Sequence, residues 1–324
     1  MALQGTEHPY ILISGKGRSG SNRLLDILDA SRSTVCRSEI NEIPGSVFAG
    51  IGGELFSGDF GPQQLAALRQ AISGAVTRRS ARDRLSQRDK DYLTAAGRAG
   101  IGSLEKARLR RALSAVGLLD GEHEWRLPPV FLKRDAISGA RLVLKLNSSP
   151  SWAAALAHAD DRCRVLHNVR DPFGYLQSWY NRFIGNGVGT ASFRANFRDV
   201  PRILAHFGRD DANRLAEPTD ENLVEVELWR WRYVNESLQS IAASSGRYLL
   251  VTYSEIETDP LGAAGRMFEF AGLPLESGEE ARIRALQNVL FSSPHKTHLD
   301  PDMCARLIDG VLEDSPLRGL ARPA

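Results

Sequence analysis

Nine residues near the N-terminus, Ser14-Gly15-Lys16-Gly17-Arg18-Ser19-Gly20-Ser21-Asn22, have the composition of an anion site. A glycine-rich turn between a strand and a helix aims backbone N–H groups and the positive helix end at a bound anion. Arg18 adds a charge, and Ser19 and Ser21 add hydroxyl donors. Two motif spellings compete for this loop. Gly15 and Gly20 have the glycine spacing of GxxxxGK[ST]. Ser21 and Asn22, however, stand where that motif needs a lysine for the terminal phosphates and a hydroxyl for magnesium. The loop therefore suits phosphate but not a magnesium nucleoside triphosphate. Gly15 to Gly20 also spells GxGxxG, the dinucleotide fingerprint. That reading needs an acidic residue ending a second strand about 20 residues on. Glu39 falls there, but in a polar segment that reads as non-strand.

A second block, Val169-Arg170-Asp171-Pro172-Phe173-Gly174-Tyr175-Leu176-Gln177-Ser178, follows an apolar run. Arg170 leaves the strand end as a bidentate phosphate ligand. Pro172 suits a first helical turn. Ser178 lies about two turns along, on a face that Arg170 can share, and Arg182 one turn further. A third block, Val251-Thr252-Tyr253-Ser254-Glu255 onward to Phe268-Glu269-Phe270-Ala271-Gly272-Leu273-Pro274, places Tyr253 at a strand end.

Together these blocks resemble the PAPS-dependent sulfotransferases (PAPS, 3′-phosphoadenosine-5′-phosphosulfate), in the bacterial and carbohydrate-acting form rather than the cytosolic one. Arg18-Ser19-Gly20-Ser21 resembles the family's 5′-phosphosulfate loop, with Arg where cytosolic members carry Lys. Asn22 departs from the common Thr. Arg170-Asp171-Pro172 with Ser178 resembles the 3′-phosphate motif, and Tyr253 matches a tyrosine near the adenine. The resemblance covers roughly 10–50 and 140–275. It implies PAPS as co-substrate, PAP as product, and no metal. It also implies a cofactor site of Gly17, Arg18, Ser19, Gly20, Ser21, Asn22, Arg170, Ser178 and Tyr253. The implied reaction is in-line sulfuryl transfer to a hydroxyl or amine, with Arg18 and the loop amides stabilising the leaving phosphate. Cytosolic members take their base from a His in K-x-H; here Lys145-Leu146-Asn147 puts Asn147 there. Bacterial members resemble one another in a Glu after the first helix. Glu39 is thus the first choice of general base and Glu42 the second, with Lys145 toward the sulfuryl group.

These residues need a frame. Apolar runs at 10–14, 141–146, 164–169 and 247–253 read as strands. Helical patterns follow Ser21 and cover 151–159, 172–184, 222–244 and 259–271. Strands alternating with helices predict a three-layer α/β fold, a central parallel sheet flanked by helices, P-loop-like, in one domain over 1–324. Residues 62–127 read as a basic helical insertion, either a lid or substrate-binding subdomain or a solvated face. Positions 63–126 carry 13 Lys+Arg against 7 Asp+Glu.

The 324 residues are 42% hydrophobic and 25% charged, which excludes a disordered chain. A net charge of +2 argues against bulk nucleic-acid binding, although 35 of the 41 cationic residues are Arg. Cys36, Cys163 and Cys304 form no CxxC pair and read as small buried residues. No apolar stretch suits a membrane span and no signal peptide is spelled, so a cytoplasmic enzyme is expected. His295-Lys296-Thr297-His298 reads as a polar loop rather than a metal set. The expected acceptor is a polar small molecule, carbohydrate or glycolipid. A nucleotide kinase or other P-loop-like phosphotransferase, and a catalytically idle nucleotide-binding protein, are the alternatives.

Overall fold

The computed structural model describes residues 9–43, 46–79, 83, 89–104, 125–184, 194–210, 212–215, 219–290 and 299–321. Its centre is a five-stranded sheet of β1 (Tyr10–Gly15), β2 (Thr34–Ser38), β5 (Arg141–Asn147), β6 (Cys163–Val169) and β7 (Tyr248–Thr252). The spatial order is β2-β5-β1-β6-β7, and every pairing is parallel. Side chains alternate across the pleat, so each strand feeds two cores. Ile11, Ile13, Val143, Leu166 and Val251 face one cluster with α1 (Ser21–Asp29) and α10 (Pro260–Ala271), through Leu24, Leu28, Met267 and Phe268. Leu12, Leu142, Leu144 and Val165 face the other, with α5 (Pro150–Ala159) and α8 (Asp220–Ser244), through Trp152, Leu156, Leu228 and Trp231. Both faces are covered, as the expected three-layer α/β architecture requires.

Two sequence expectations change. Residues before Glu39 are not a loop: Thr34–Ser38 is edge strand β2, buried throughout. The dinucleotide reading still fails, for a topological reason. A dinucleotide-binding sheet pairs its first two strands, whereas here β5 lies between β1 and β2. Residues 62–127 are also not wholly helical. They include α2 (Pro62–Ala75) and α3 (Ala95–Leu104), but also β3 (Arg78–Arg79), antiparallel to β4 (Trp125–Arg126). Residues 80–82, 84–88 and 105–124 lie outside the described ones.

Buried charges attach this segment to the sheet edge. Arg37 on β2 is 1% exposed and donates to the Ala75 carbonyl at 2.9 Å and the Val76 carbonyl at 2.8 Å, closing the C-terminal end of α2. Lys90, fully buried, pairs with Asp29 at 2.8 Å and donates to the Asp29 and Ser31 carbonyls at 2.6 Å, after the last turn of α1. The three cysteines are buried and unbridged. No described helix is long and apolar enough to cross a membrane.

One buried group makes stability depend on pH. His167 on β6 contacts the Tyr248 hydroxyl through Nδ1 at 2.6 Å and the Asn235 Oδ1 through Nε2 at 2.9 Å. The Asn235 amide nitrogen already donates to the Trp231 carbonyl at 2.8 Å. Nε2 therefore carries the proton and Nδ1 accepts. Burial pushes the His167 pKa down to about 4 from 6.5. Between those values the unfolded chain binds the extra proton, so stability is complete above pH 6.5 and falls on acidification. The expected loss is about 2–3 kcal/mol by pH 4.5. Urea unfolding at pH 7 and 4.5 checks it: the difference between the two pH values shrinks by that amount in His167→Gln.

Candidate active site

The carboxyl edge of the sheet gathers the chemistry. The loop after β1, the residue after β2, the end of β5, the start of α6 (Pro172–Phe183) after β6, and the start of α9 (Tyr253–Thr258) after β7 all emerge there. In open parallel sheets that edge is where ligands bind.

The β1–α1 loop is shaped by its backbone. Gly20 has φ of 91°, and a Cβ placed there would lie 2.3 Å from Cδ2 of Tyr253. Glycine is required twice over, for the left-handed turn and for the tyrosine against it. Gly20→Ala is expected to destabilise the protein by about 2–4 kcal/mol, from the turn and the clash together. A thermal melt checks it, and an unchanged melting temperature would show that the ring yields freely. Arg18 also lies at positive φ, 79°. The Ser19 side-chain oxygen is buried without a hydrogen-bond partner among the described residues.

The two motifs meet although far apart in sequence. An Arg18 Nη2 donates to Ser178 Oγ at 3.2 Å across a separation of 160 residues. Asp171 caps α6 by accepting from the Gly174 N–H at 2.6 Å, and Pro172 occupies the first turn. The Arg170 guanidinium lies 4.2 Å from the centre of the Tyr253 ring, and Arg23 of α1 lies 5.1 Å from it. The Arg170 Nε is buried with no partner among the described residues. Arg18 as a residue is exposed, whereas its charged end is crowded. Partial burial, then the charges of Arg182 and Arg170, lower the Arg18 pKa from its ordinary value. Guanidinium groups held close enough to repel are relieved by an anion placed among them.

Beside this cluster lies a carboxylate centre. Lys145, 2% exposed and so no surface lysine, donates from Nζ to Glu39 Oε1 at 2.6 Å and to Asn22 Oδ1 at 2.5 Å. Asn147 Nδ2 donates to the same Glu39 oxygen at 3.1 Å and to Glu42 Oε1 at 3.2 Å. Ser21 Oγ reaches Asn147 Oδ1 at 3.5 Å. Lys145 and Asn147 share one face because strand side chains repeat every second residue. Glu39 holds φ of 52°, a left-handed geometry uncommon outside glycine and found where a site fixes its backbone. The structure thus brings Gly17, Arg18, Ser19, Gly20, Ser21, Asn22, Glu39, Lys145, Arg170, Ser178 and Tyr253 to one edge.

Sequence reasoning missed two groups there. Asn147, noted only as replacing a histidine, bridges Glu39 and Glu42. Its signal was the i, i+2 spacing from Lys145. Lys16 does not take the place of a P-loop lysine: its ammonium is buried and paired with Glu227 at 2.8 Å. A charged residue inside Val224-Glu225-Val226-Glu227-Leu228-Trp229 was the available signal. His295, Lys296 and His298 lie outside the described residues. Among the described residues no three His, Cys, Asp or Glu side chains gather as a metal set.

The sulfotransferase domain model matches residues 137–299, half of the chain, and the chain belongs to that family. Its activity is sulfuryl transfer. No curated protein matches it. Among solved structures it is similar to a sulfotransferase from Alicyclobacillus acidocaldarius, at 15% identity and TM-score 0.45, covering 98% of this chain and 97% of that one. It is also similar to a Mycobacterium avium sulfotransferase, at 17% identity and TM-score 0.43, covering 96% and 77%. A third is the sulfotransferase domain of the Synechococcus PCC 7002 olefin synthase, at 16% identity and TM-score 0.38, covering 95% and 88%.

Proposed function

We propose that the chain transfers the sulfuryl group of PAPS to a hydroxyl or amine of a polar small molecule, with Glu39 as general base. The Arg18–Ser178 contact carries the reading, because it closes the two anion motifs on one another at the carboxyl edge. The buried Ser19 hydroxyl and Arg170 Nε, without partners among the described residues and set among crowded guanidinium groups, fit a nucleotide with an anion at each end.

Bound PAPS supplies an activated sulfuryl group on a 5′-phosphate leaving group. Gly17, Arg18, Ser19, Gly20, Ser21 and Asn22 hold that end, and Arg18 neutralises charge as it grows there. Arg170 and Ser178 hold the 3′-phosphate, and Tyr253 lines the base. Glu39 accepts the acceptor's proton. Its side chain is 25% exposed, whereas Glu42 is an exposed residue and suits the role less well. Lys145, fixed on Glu39 and Asn22, supplies positive charge toward the sulfuryl oxygens.

Thermal shift tests the donor. PAP at about 100 times its Kd is expected to stabilise the fold by about 2.7 kcal/mol. ATP with magnesium should do far less. Stabilisation by ATP with magnesium and none by PAP would overturn the reading in favour of a kinase. PAP binding without label transfer from PAPS to any of a panel of hydroxyl and amine acceptors would favour an idle binding protein.

A further inference from the structure

A buried carboxylate outside the proposed chemistry touches both anion-binding elements. Glu227 lies in the N-terminal third of α8, 1% exposed. Its Oε1 pairs with the Lys16 ammonium of the β1–α1 loop at 2.8 Å and accepts from the Tyr175 hydroxyl of α6. Its Oε2 lies 3.6 Å from Arg230 Nε, and Arg230 in turn pairs with Asp199 of the helix α7 (Arg194–His206). Lys16 is two residues before Arg18, and Tyr175 is one helical turn before Ser178. The Lys16 side chain is only 7% exposed, so its charge needs the Glu227 carboxylate beside it. Tyr175 is fully enclosed, and burial first, then Glu227, hold its hydroxyl protonated and donating.

We infer that Glu227 is a positioning residue that tethers Lys16 and Tyr175 on one oxygen and so sets the spacing between the Arg18 loop and the Arg170–Ser178 helix. α8 spans Asp220–Ser244 and packs its tryptophans into the larger core. It is a rigid bar against which loop and helix are both gauged. A ligand that touches both elements senses the spacing; a ligand that touches only the loop does not. The inference rests on the proposed nucleotide site.

The test compares PAP with 5′-AMP, which lacks the 3′-phosphate. Kd values are measured by calorimetry for the wild type, Tyr175→Phe, Lys16→Met and the double variant. Tyr175→Phe removes one tether and leaves the buried Lys16–Glu227 pair intact, so it keeps the fold assayable. The expected result is a PAP affinity weakened about 5- to 30-fold in each single variant, with 5′-AMP within about twofold. The double variant should be no worse than the weaker single one, since a spacing released once is not released again. A loss shared equally by both ligands, or additive losses, would make the contacts merely structural and overturn the inference. So would unchanged PAP binding in variants of a wild type that prefers PAP. A wild type that binds no PAP would instead overturn the nucleotide reading beneath it.

Discussion

Glutamine at position 39 lowers kcat by about 10²–10⁴-fold while the Kd for PAP stays within about threefold. The substitution keeps the size of the side chain and an oxygen able to accept from Lys145 and Asn147, which both donate to Glu39 Oε1 in the native chain. It removes the ability to take a proton and, with it, the negative charge beside the buried Lys145 ammonium. The proposed nucleotide contacts of Arg18, Arg170 and Ser178 lie across the sheet edge and are untouched. Glu39→Asp is expected to lie between, because the left-handed backbone at φ 52° fixes where the shorter carboxylate starts and leaves it short of the acceptor. Steady-state kinetics with saturating donor separates the cases. Full turnover in Glu39→Gln together with a collapse in Glu42→Gln would move the base to Glu42, which Asn147 already joins to the same cluster.

The parts of this site that were legible in sequence are local. Glycines at 15, 17 and 20 between an apolar run and an amphipathic stretch spell a turn whatever surrounds them. Asp171-Pro172 spells a helix start, because an aspartate cap and a proline in the first turn need no tertiary partner. Strand β2 was not legible, and the reason is tertiary. Thr34-Val35-Cys36-Arg37-Ser38 reads as polar, yet it is buried because other elements satisfy its polar groups. Arg37 is spent on carbonyls at the end of α2, and Thr34 Oγ1 donates to the Leu28 carbonyl at 2.9 Å and accepts from Lys90 at 3.1 Å. Glu39 meets Lys145 only because β2 pairs with β5, in register Ser38 with Lys145. No periodicity announces that pairing. Glu227 was hidden for a related reason: its helix carries several charged residues, and nothing in the pattern marks this one as buried until its partners are known.

Alanine at position 170 weakens PAP binding by about 10²–10⁴-fold, since two charge-assisted hydrogen bonds are lost at about 1.5–3 kcal/mol each. The effect on 5′-AMP should be no more than about threefold, because the loop after β1 carries that ligand. Arg170→Lys recovers only part of the loss. A lysine brings back the charge, but not the planar fork, and it stacks less well on the Tyr253 ring that lies 4.2 Å from the arginine's centre. The native residue is poised for the fork: its Nε is buried without a partner among the described residues, and the charge of Arg18 is near enough to be felt. Removing it also relieves Arg18 of a like charge, so the free protein should lose little stability or even gain some. Calorimetric titration of the three forms with both ligands decides. Equal losses for PAP and 5′-AMP would move Arg170 away from the 3′-phosphate. A lysine variant as tight as the native protein would mean that charge alone is recognised, and the 35 arginines of this chain would then reflect composition rather than a demand for bidentate geometry at this position.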